Sequence, residues 1–390
     1  MKVLMINSVC GIRSTGRICT DIAQVLENQG HECKIAYGRE IVPEKYEKYS
    51  YRIGTNLDVK VHAGLSRIFD NAAFHSKRVT KKLIKWIQEY NPDVIHLHNL
   101  HGYYLHVGEL FRYLKTCNKK IIWTLHDCWV FTGHCAHFDF VGCEKWKTGC
   151  FDCPQKNRYP KSVLKDCSKR NYYRKKQLFT GIPDLTIVTP SKWLGELVKQ
   201  SFLKEYPVEV IYNGIDLEVF KPTESDFRER YNIEDKTLIL GVASAWDDRK
   251  GLEDFIQLSK LLKEEYRIVL VGVSDEQKKA LPPNVIGITR TNNIKELAEI
   301  YTAADVFVNL TYEDNYPTVN LEAQACGTPV ITYKTGGSVE SVSVESVVKK
   351  GDLATLIEIL QKKEERISFS VGEHFNKIVA VAQYTRLYEE

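Results

Sequence analysis

The residues of this chain best suited to chemistry are two carboxylates, Asp314 and Glu322, with seven residues between them, and an adjacent cation pair far upstream, Arg249 and Lys250. A carboxylate one turn into a helix can accept hydrogen bonds from two ribose hydroxyls. One on the preceding loop, such as Asp314 with Asn315 and Tyr316 beside it, can face whatever is joined to a nucleotide phosphate. Pro317 reads as the first helical residue. The amides of Thr318, Val319 and Asn320 then have no intrahelical partner and are open to an anion. Arg249 and Lys250 precede another helix and can hold a pyrophosphate, Arg bidentately and Lys as a point charge. The chemistry such a set supports is binding of a nucleoside diphosphate with a carboxylate beside the departing group. The competing interpretation is an ordinary helix–strand connection with solvated charges.

The elements that must position these residues are legible. DVFVNL reads as a buried parallel strand, TYEDNY as a loop, and TVNLEAQAC as a helix closed by Gly327 before the strand PVITY. That order forms the ligand-binding end of an open α/β sheet. TLILGVAS, RIVLVGV and NVIGITR, each followed by a helical pattern, extend the alternation. The first half repeats it: VLMINSV, a glycine-containing turn and a helix, then DVIHLH, KKIIWTLHD and LTIVTP. Gly11 and Gly16 have P-loop spacing, but Arg17 and Ile18 stand where lysine and a hydroxyl belong. Gly16 either lets the backbone approach a sugar or phosphate or serves a tight first turn. The fold class is therefore α/β, two doubly wound Rossmann-like domains. We place the first at 1–215, with a Cys-rich insertion at about 133–176, and the second at 216–371; a final helix, 372–390, is expected to pack back on the first.

Asp314-Asn315-Tyr316-Pro317, Leu321-Glu322-Ala323 and Cys326-Gly327-Thr328-Pro329-Val330 together resemble the E-x7-E signature of family 4 retaining glycosyltransferases. Here Asp314 stands at the first acid with Glu313 just before it, and either can fill that role. PDVIHLH, the histidine ending KKIIWTLHD, and NGID followed by Phe220 extend the resemblance over nearly the whole chain. It implies the GT-B architecture, two such domains facing across a cleft, and His126 near the donor sugar. Relatives usually carry an arginine six residues before Lys250, where this chain has Ser244; Arg249 is the candidate substitute. Similarity to polysaccharide-building members is strongest around WTLHDCWVFTGHC and EDNYPTVNLEA. It implies capsule, exopolysaccharide or O-antigen assembly.

Other clusters need weighing. His96, His98 and His101 near a strand end invite a zinc interpretation, but such residues more often line a cleft. Cys135, Cys143, Cys150 and Cys153 are candidate ligands of a structural zinc that would stabilise a long insertion with few apolar residues to bury; thiols without metal are the alternative. Basic and aromatic residues from 156 to 176, Arg158, Tyr159 and Lys175 among them, suit a sugar–pyrophosphate acceptor or a membrane interface. The basic helical region 59–90, with Arg67, Lys77, Arg78, Lys81, Lys82 and Lys85, is a solvated face or a membrane-facing patch.

A chain of 390 residues that is 43% hydrophobic supports two sizeable cores. The formal charge of +4 does not suggest a nucleic-acid binder. MKVLMINSVC reads as a first strand rather than an export signal, so we expect a cytoplasmic protein, at the inner face of the membrane if peripheral, with its 11 cysteines reduced. The reading is a metal-independent, retaining hexosyltransferase without a catalytic cofactor. It would use a UDP- or GDP-sugar donor and a saccharide or lipid-linked saccharide acceptor. Rival readings are a nucleotide-sugar epimerase or a phosphorylase of the same fold, and a zinc-dependent interaction module.

Overall fold

The computed structural model describes residues 1–362 and 372–390. The expected end of the second domain, residue 371, lies outside them. Two compact units emerge, Met1–Tyr212 with Ala380–Glu390, and Asn213–Val379. The first begins with β1 (Lys2–Asn7), α1 (Arg13–Asn28), β2 (Glu32–Tyr37), β3 (Ser50–Arg52), α2 (Asn56–Phe69) and α3 (Lys77–Tyr90). It continues through β4 (Val94–Leu97), α4 (Val107–Leu114), β5 (Lys120–Thr124), α5 (Ser168–Phe179), β6 (Leu185–Thr189), α6 (Lys192–Gln200) and β7 (Val208–Val210). The second holds α7 (Phe227–Arg230), β8 (Thr237–Val242), α8 (Leu252–Leu261), β9 (Tyr266–Val271), α9 (Asp275–Ala280), β10 (Val285–Ile288) and α10 (Ile294–Ala303). Next come β11 (Val306–Asn309), α11 (Thr318–Ala325), β12 (Val330–Tyr333), β13 (Val347–Val348) and α12 (Leu353–Gln361). The last helix is α13 (Lys377–Glu389).

Both sheets are parallel, ordered β3-β2-β1-β4-β5-β6-β7 and β10-β9-β8-β11-β12-β13. The strands read as unbroken apolar runs because both faces of each sheet are covered. In β1, Val3 and Met5 join one cluster, with Cys19, Ile22, Ala23 and Leu26 of α1. Leu4 and Ile6 join the other, with Leu83 and Ile87 of α3 and Phe111 of α4. The end of α13 completes the α1 side: Val381, Tyr384 and Tyr388 are buried there. Tyr388 hydroxyl pairs with His96 Nδ1 at 2.7 Å, and Tyr384 hydroxyl with Thr124 Oγ1 at 3.1 Å. In the second unit, Phe255 and Leu258 of α8 and Leu353, Leu356 and Leu360 of α12 pack on Ile239, Ile268 and Val308.

The insertion before α5 corrects two expectations. Cys135, Cys143, Cys150 and Cys153 do line one cavity. Among the described residues, however, no group of three or more His, Cys, Asp or Glu is arranged to hold a metal ion, and the structure does not support the structural zinc. Three of the thiols have other partners: Cys135 and Cys153 hydrogen-bond each other, and Gly133 N–H donates to Cys150 Sγ at 3.1 Å. The segment is not poor in apolar contacts. Trp146 is buried against Phe138 and Phe131, with ring centroids 5.0 and 5.2 Å apart. The cation–aromatic run also turns partly inward. Lys175 is buried, with Nζ donating to the carbonyls of Trp129 at 2.6 Å and Thr132 at 3.1 Å, and burial lowers its pKa to about 7. Arg174 lies 3.8 Å over the Phe74 ring. We expect Trp146→Ala to lower unfolding free energy by about 3–5 kcal/mol in urea titration; a loss below ~1 kcal/mol would mean that the aromatic cluster does not hold the insertion.

Candidate active site

Each sheet changes direction of winding once, between β1 and β4 and between β8 and β11. Ligands bind outside the carboxyl ends of the strands at such a switch. In the second unit, β8 leads to Arg249 and Lys250, and β11 leads to Glu313 and Asp314. The two loops are joined through backbone. Tyr312 N–H donates to the Arg249 carbonyl at 2.7 Å, and Thr311 Oγ1 donates to the same oxygen at 3.3 Å. Gly251 makes the approach possible: its φ is +73°, and a Cβ there would lie 2.3 Å from the Leu310 carbonyl oxygen.

The cations face the acids. Lys250 Nζ donates to Asp314 Oδ2 at 2.6 Å and lies 3.5 Å from Thr311 Oγ1. Arg249 Nε donates to Asp247 Oδ2 at 3.3 Å, and its guanidinium is 4.0 Å from Glu313. The two acids that the sequence left interchangeable have different settings: Glu313 is buried beside Arg249, and Asp314 is partly exposed beside Lys250.

Helix α11 begins at Thr318, with Pro317 as its extended cap rather than its first residue. That shift corrects one expectation. Asn320 N–H donates to the Pro317 carbonyl at 3.2 Å, leaving the Thr318 and Val319 amides as the donors at the helix start. The Asn320 side chain is fully buried: its Oδ1 accepts from Asn309 Nδ2 at 2.8 Å, and its Nδ2 donates to Ser341 Oγ at 2.9 Å. It anchors α11 to the end of β11 and to the turn 336–341, where Glu340 sits. Glu322 is buried and accepts from the Tyr301 hydroxyl at 3.1 Å. Asn315 and Tyr316 are buried in the loop. Sequence reasoning missed both supports. Asn309 left a signal, a polar residue closing an apolar strand, whereas Tyr301 on α10 left none.

In the first unit, Gly16 packs the start of α1 on the loop after β1. The space a Cβ would take is filled by Val9 and by the Gly11 amide, which donates to the Gly16 carbonyl at 3.1 Å. Histidines gather where β4 and β5 end. His101 Nε2–H donates to Asp127 Oδ2 at 2.7 Å, and His101 Nδ1 pairs with the Tyr159 hydroxyl at 3.0 Å. Burial works to raise the Asp127 pKa, but His101 beside it and the Trp129 N–H hold it well below the carboxylate range. His98 Nδ1 lies 3.0 Å from His126 Nε2, while His98 Nε2 is buried without a partner among the described residues. A buried N–H lacking an acceptor is the costlier arrangement, so His98 carries its proton on Nδ1 and donates to His126. His126 then keeps Nδ1–H as its own donor. Burial lowers the His126 pKa to about 4, so the ring is neutral near pH 7.

Residues 15–219 match Glycosyltransferase Family 4, and residues 223–366 match Glycosyl transferases group 1. The chain belongs to glycosyltransferase family 4. WcaC of Escherichia coli K12, provisionally named a colanic acid biosynthesis glycosyl transferase, is 26% identical over 372 residues, 90% of this chain and 89% of that protein. The Campylobacter jejuni N,N'-diacetylbacillosaminyl-diphospho-undecaprenol alpha-1,3-N-acetylgalactosaminyltransferase is 30% identical over 160 residues, 38% of this chain and 42% of that protein. The crystal structure of Anabaena Alr3699/HepE in complex with UDP superposes with a TM-score of 0.66 at 14% identity, covering 100% of both chains. The two Rossmann-like sheets are those of the GT-B fold.

The buried histidines have a measurable consequence. His126 is lowered to about 4, and His62 and His96 to about 3, chiefly by burial, against an ordinary value of 6.5. Between those limits the unfolded chain binds more protons than the folded one, so stability rises with pH across the window. We expect the urea midpoint to fall steadily as pH drops from 6.5 toward 4. A midpoint flat across that range would show that these imidazoles titrate normally in the fold.

Proposed function

We propose that the chain transfers a sugar from a UDP- or GDP-sugar to a hydroxyl of a saccharide or lipid-linked saccharide, with retention at the anomeric carbon, in bacterial surface polysaccharide assembly. The observation that carries the reading is the convergence at the β8/β11 switch of two cations, two helix-start amides and the buried Glu322. Support for the donor comes from HepE, whose structure holds UDP. Support for the acceptor comes from the Campylobacter relative, named for a diphospho-undecaprenol saccharide. WcaC, named for colanic acid, supports the polysaccharide context.

In this reading the Glu322 carboxylate, oriented by the Tyr301 hydroxyl, accepts the ribose hydroxyls. Lys250 and the Thr318 and Val319 amides meet the charge that grows on the β-phosphate as it leaves, and Arg249 adds a second cation. Charge stabilised in this way needs no divalent ion. Asp314 and Asn315 face the sugar. His126, neutral and donating from Nδ1, suits an uncharged sugar hydroxyl rather than a phosphate. The bond from the anomeric carbon to the phosphate oxygen breaks, the acceptor oxygen bonds on the same face, and its proton passes to the departing phosphate.

The test is transfer from UDP- and GDP-sugars to a polyprenyl-diphosphate saccharide, with the product's anomeric configuration read by NMR. We expect the donor configuration to be kept and transfer to persist in EDTA. Glu322→Gln should raise the donor KM about tenfold or more, the effect of weakening hydrogen bonds to a charged acceptor. An inverted product, or activity abolished by EDTA and restored by Mg²⁺, contradicts the proposal.

A further inference from the structure

Helix α2 meets the start of α3. His62 Nδ1 pairs with Ser76 Oγ at 2.8 Å, and Asp58 of α2 faces Arg78 and Lys82 of α3. The inward face of α2 carries His62 and Ser66. Its outward face carries Leu57, Val61 and Ile68, which are 69%, 53% and 41% exposed. Helical spacing puts these three in one stripe, and Gly64 in the same line opens onto empty space. The stripe continues beyond the helix. Val163 N–H donates to the Arg67 carbonyl at 2.7 Å, bringing Val163 and Leu164, both more than half exposed, to the end of α2.

Cations border this apolar strip. Lys60 and Arg67 are exposed along its flank, and Lys165 lies 5.3 Å over the Phe69 ring. On α3, Lys77, Arg78, Lys81, Lys82 and Lys85 are all exposed and line one groove. The acids among them are Asp58, Glu109 at 3.2 Å from Lys77, and Glu89 at 3.8 Å from Lys85. An apolar stripe beside a basic face is the distribution of an element lying in a membrane interface. A second copy of this chain would bring the same cations against one another. A nucleic acid would leave the exposed Leu57, Val61 and Leu164 without a partner.

We infer that this face docks the chain on an anionic lipid bilayer, with the α2 stripe and Leu164 entering the acyl boundary and the α3 cations meeting lipid phosphates. The inference rests on the lipid-linked acceptor proposed above for its purpose, while its test reads binding alone. The full chain is sedimented with phosphatidylcholine vesicles with and without phosphatidylglycerol. Lys81→Glu/Lys82→Glu/Lys85→Glu and Leu57→Ser/Val61→Ser/Leu164→Ser are compared with a charge control on α9, Lys278→Glu/Lys279→Glu. We expect binding only when phosphatidylglycerol is present. The charge variant should lose affinity about fivefold or more per lysine, the α9 control little, and the apolar variant should bind at low salt but be released at high salt. Binding that ignores phosphatidylglycerol, or equal losses in the α3 and α9 variants, would overturn the proposal. So would a native dimer that the serine variant converts to monomer, since it would assign the face to self-association. Both variants should still transfer sugar to a soluble acceptor; a native chain that transfers sugar but does not bind the anionic vesicles rejects the docking face alone, and no transfer from any donor rejects the function.

Discussion

Lys250 and Asp314 are 64 residues apart in the chain and 2.6 Å apart in space. Much of the second unit can be understood as what holds them there. The parallel order puts the ends of β8 and β11 side by side. The Arg249 carbonyl, taken by Tyr312 N–H and Thr311 Oγ1, fixes the loops at hydrogen-bond distance. Gly251 removes the side chain that would otherwise strike Leu310. Deeper in, Asp254 accepts from the hydroxyls of Tyr312 at 2.8 Å and Tyr333 at 2.7 Å, pinning α8 beneath the same loop. Two cations set among carboxylates in this way are held in place without being neutralised irreversibly. An anion with more charge than a carboxylate can compete for them.

The first unit poses a different problem, how to carry polar rings at strand ends inside a close-packed fold. His96 solves it with Tyr388 on one ring nitrogen and Thr124 on the other. His98 passes its proton toward His126, and His101 is held by Asp127. Burial keeps His96, His98 and His126 from charging near neutral pH. Those three rings are therefore neutral, and each is held in a fixed orientation. The last turns of α13 are part of that arrangement, since Tyr384 and Tyr388 bring their hydroxyls to Thr124 and His96.

What was legible in the sequence was what is local. The strand, loop and helix from β11 through α11 could be read because apolar run, proline and closing glycine are neighbours in the chain. The one-residue shift at Pro317, which engages the Asn320 amide, falls within the ordinary uncertainty of helix ends. The supports of the site were not legible. Tyr301 reaches Glu322 from another helix, and the partners of Asn320 lie on a strand end and a later turn. The structural zinc is not supported, and the other contents of the insertion were hidden for the same reason. Cysteine spacing is visible in the chain, but the packing of Phe138 and Phe131 on Trp146 is tertiary. Likewise, Lys175 counts as a surface cation by residue type, yet two carbonyls and the Trp129 ring hold it inside.

We propose that Lys250 is placed for a nucleotide's second phosphate. The direct measurement is calorimetric titration of the native chain and Lys250→Met with UDP, GDP and the matching monophosphates. One diphosphate should bind the native chain, and Lys250→Met should weaken it about tenfold or more, as loss of a charge-assisted contact does, with much less effect on the monophosphate. A diphosphate affinity indifferent to Lys250→Met, or equal losses for both nucleotides, would contradict it.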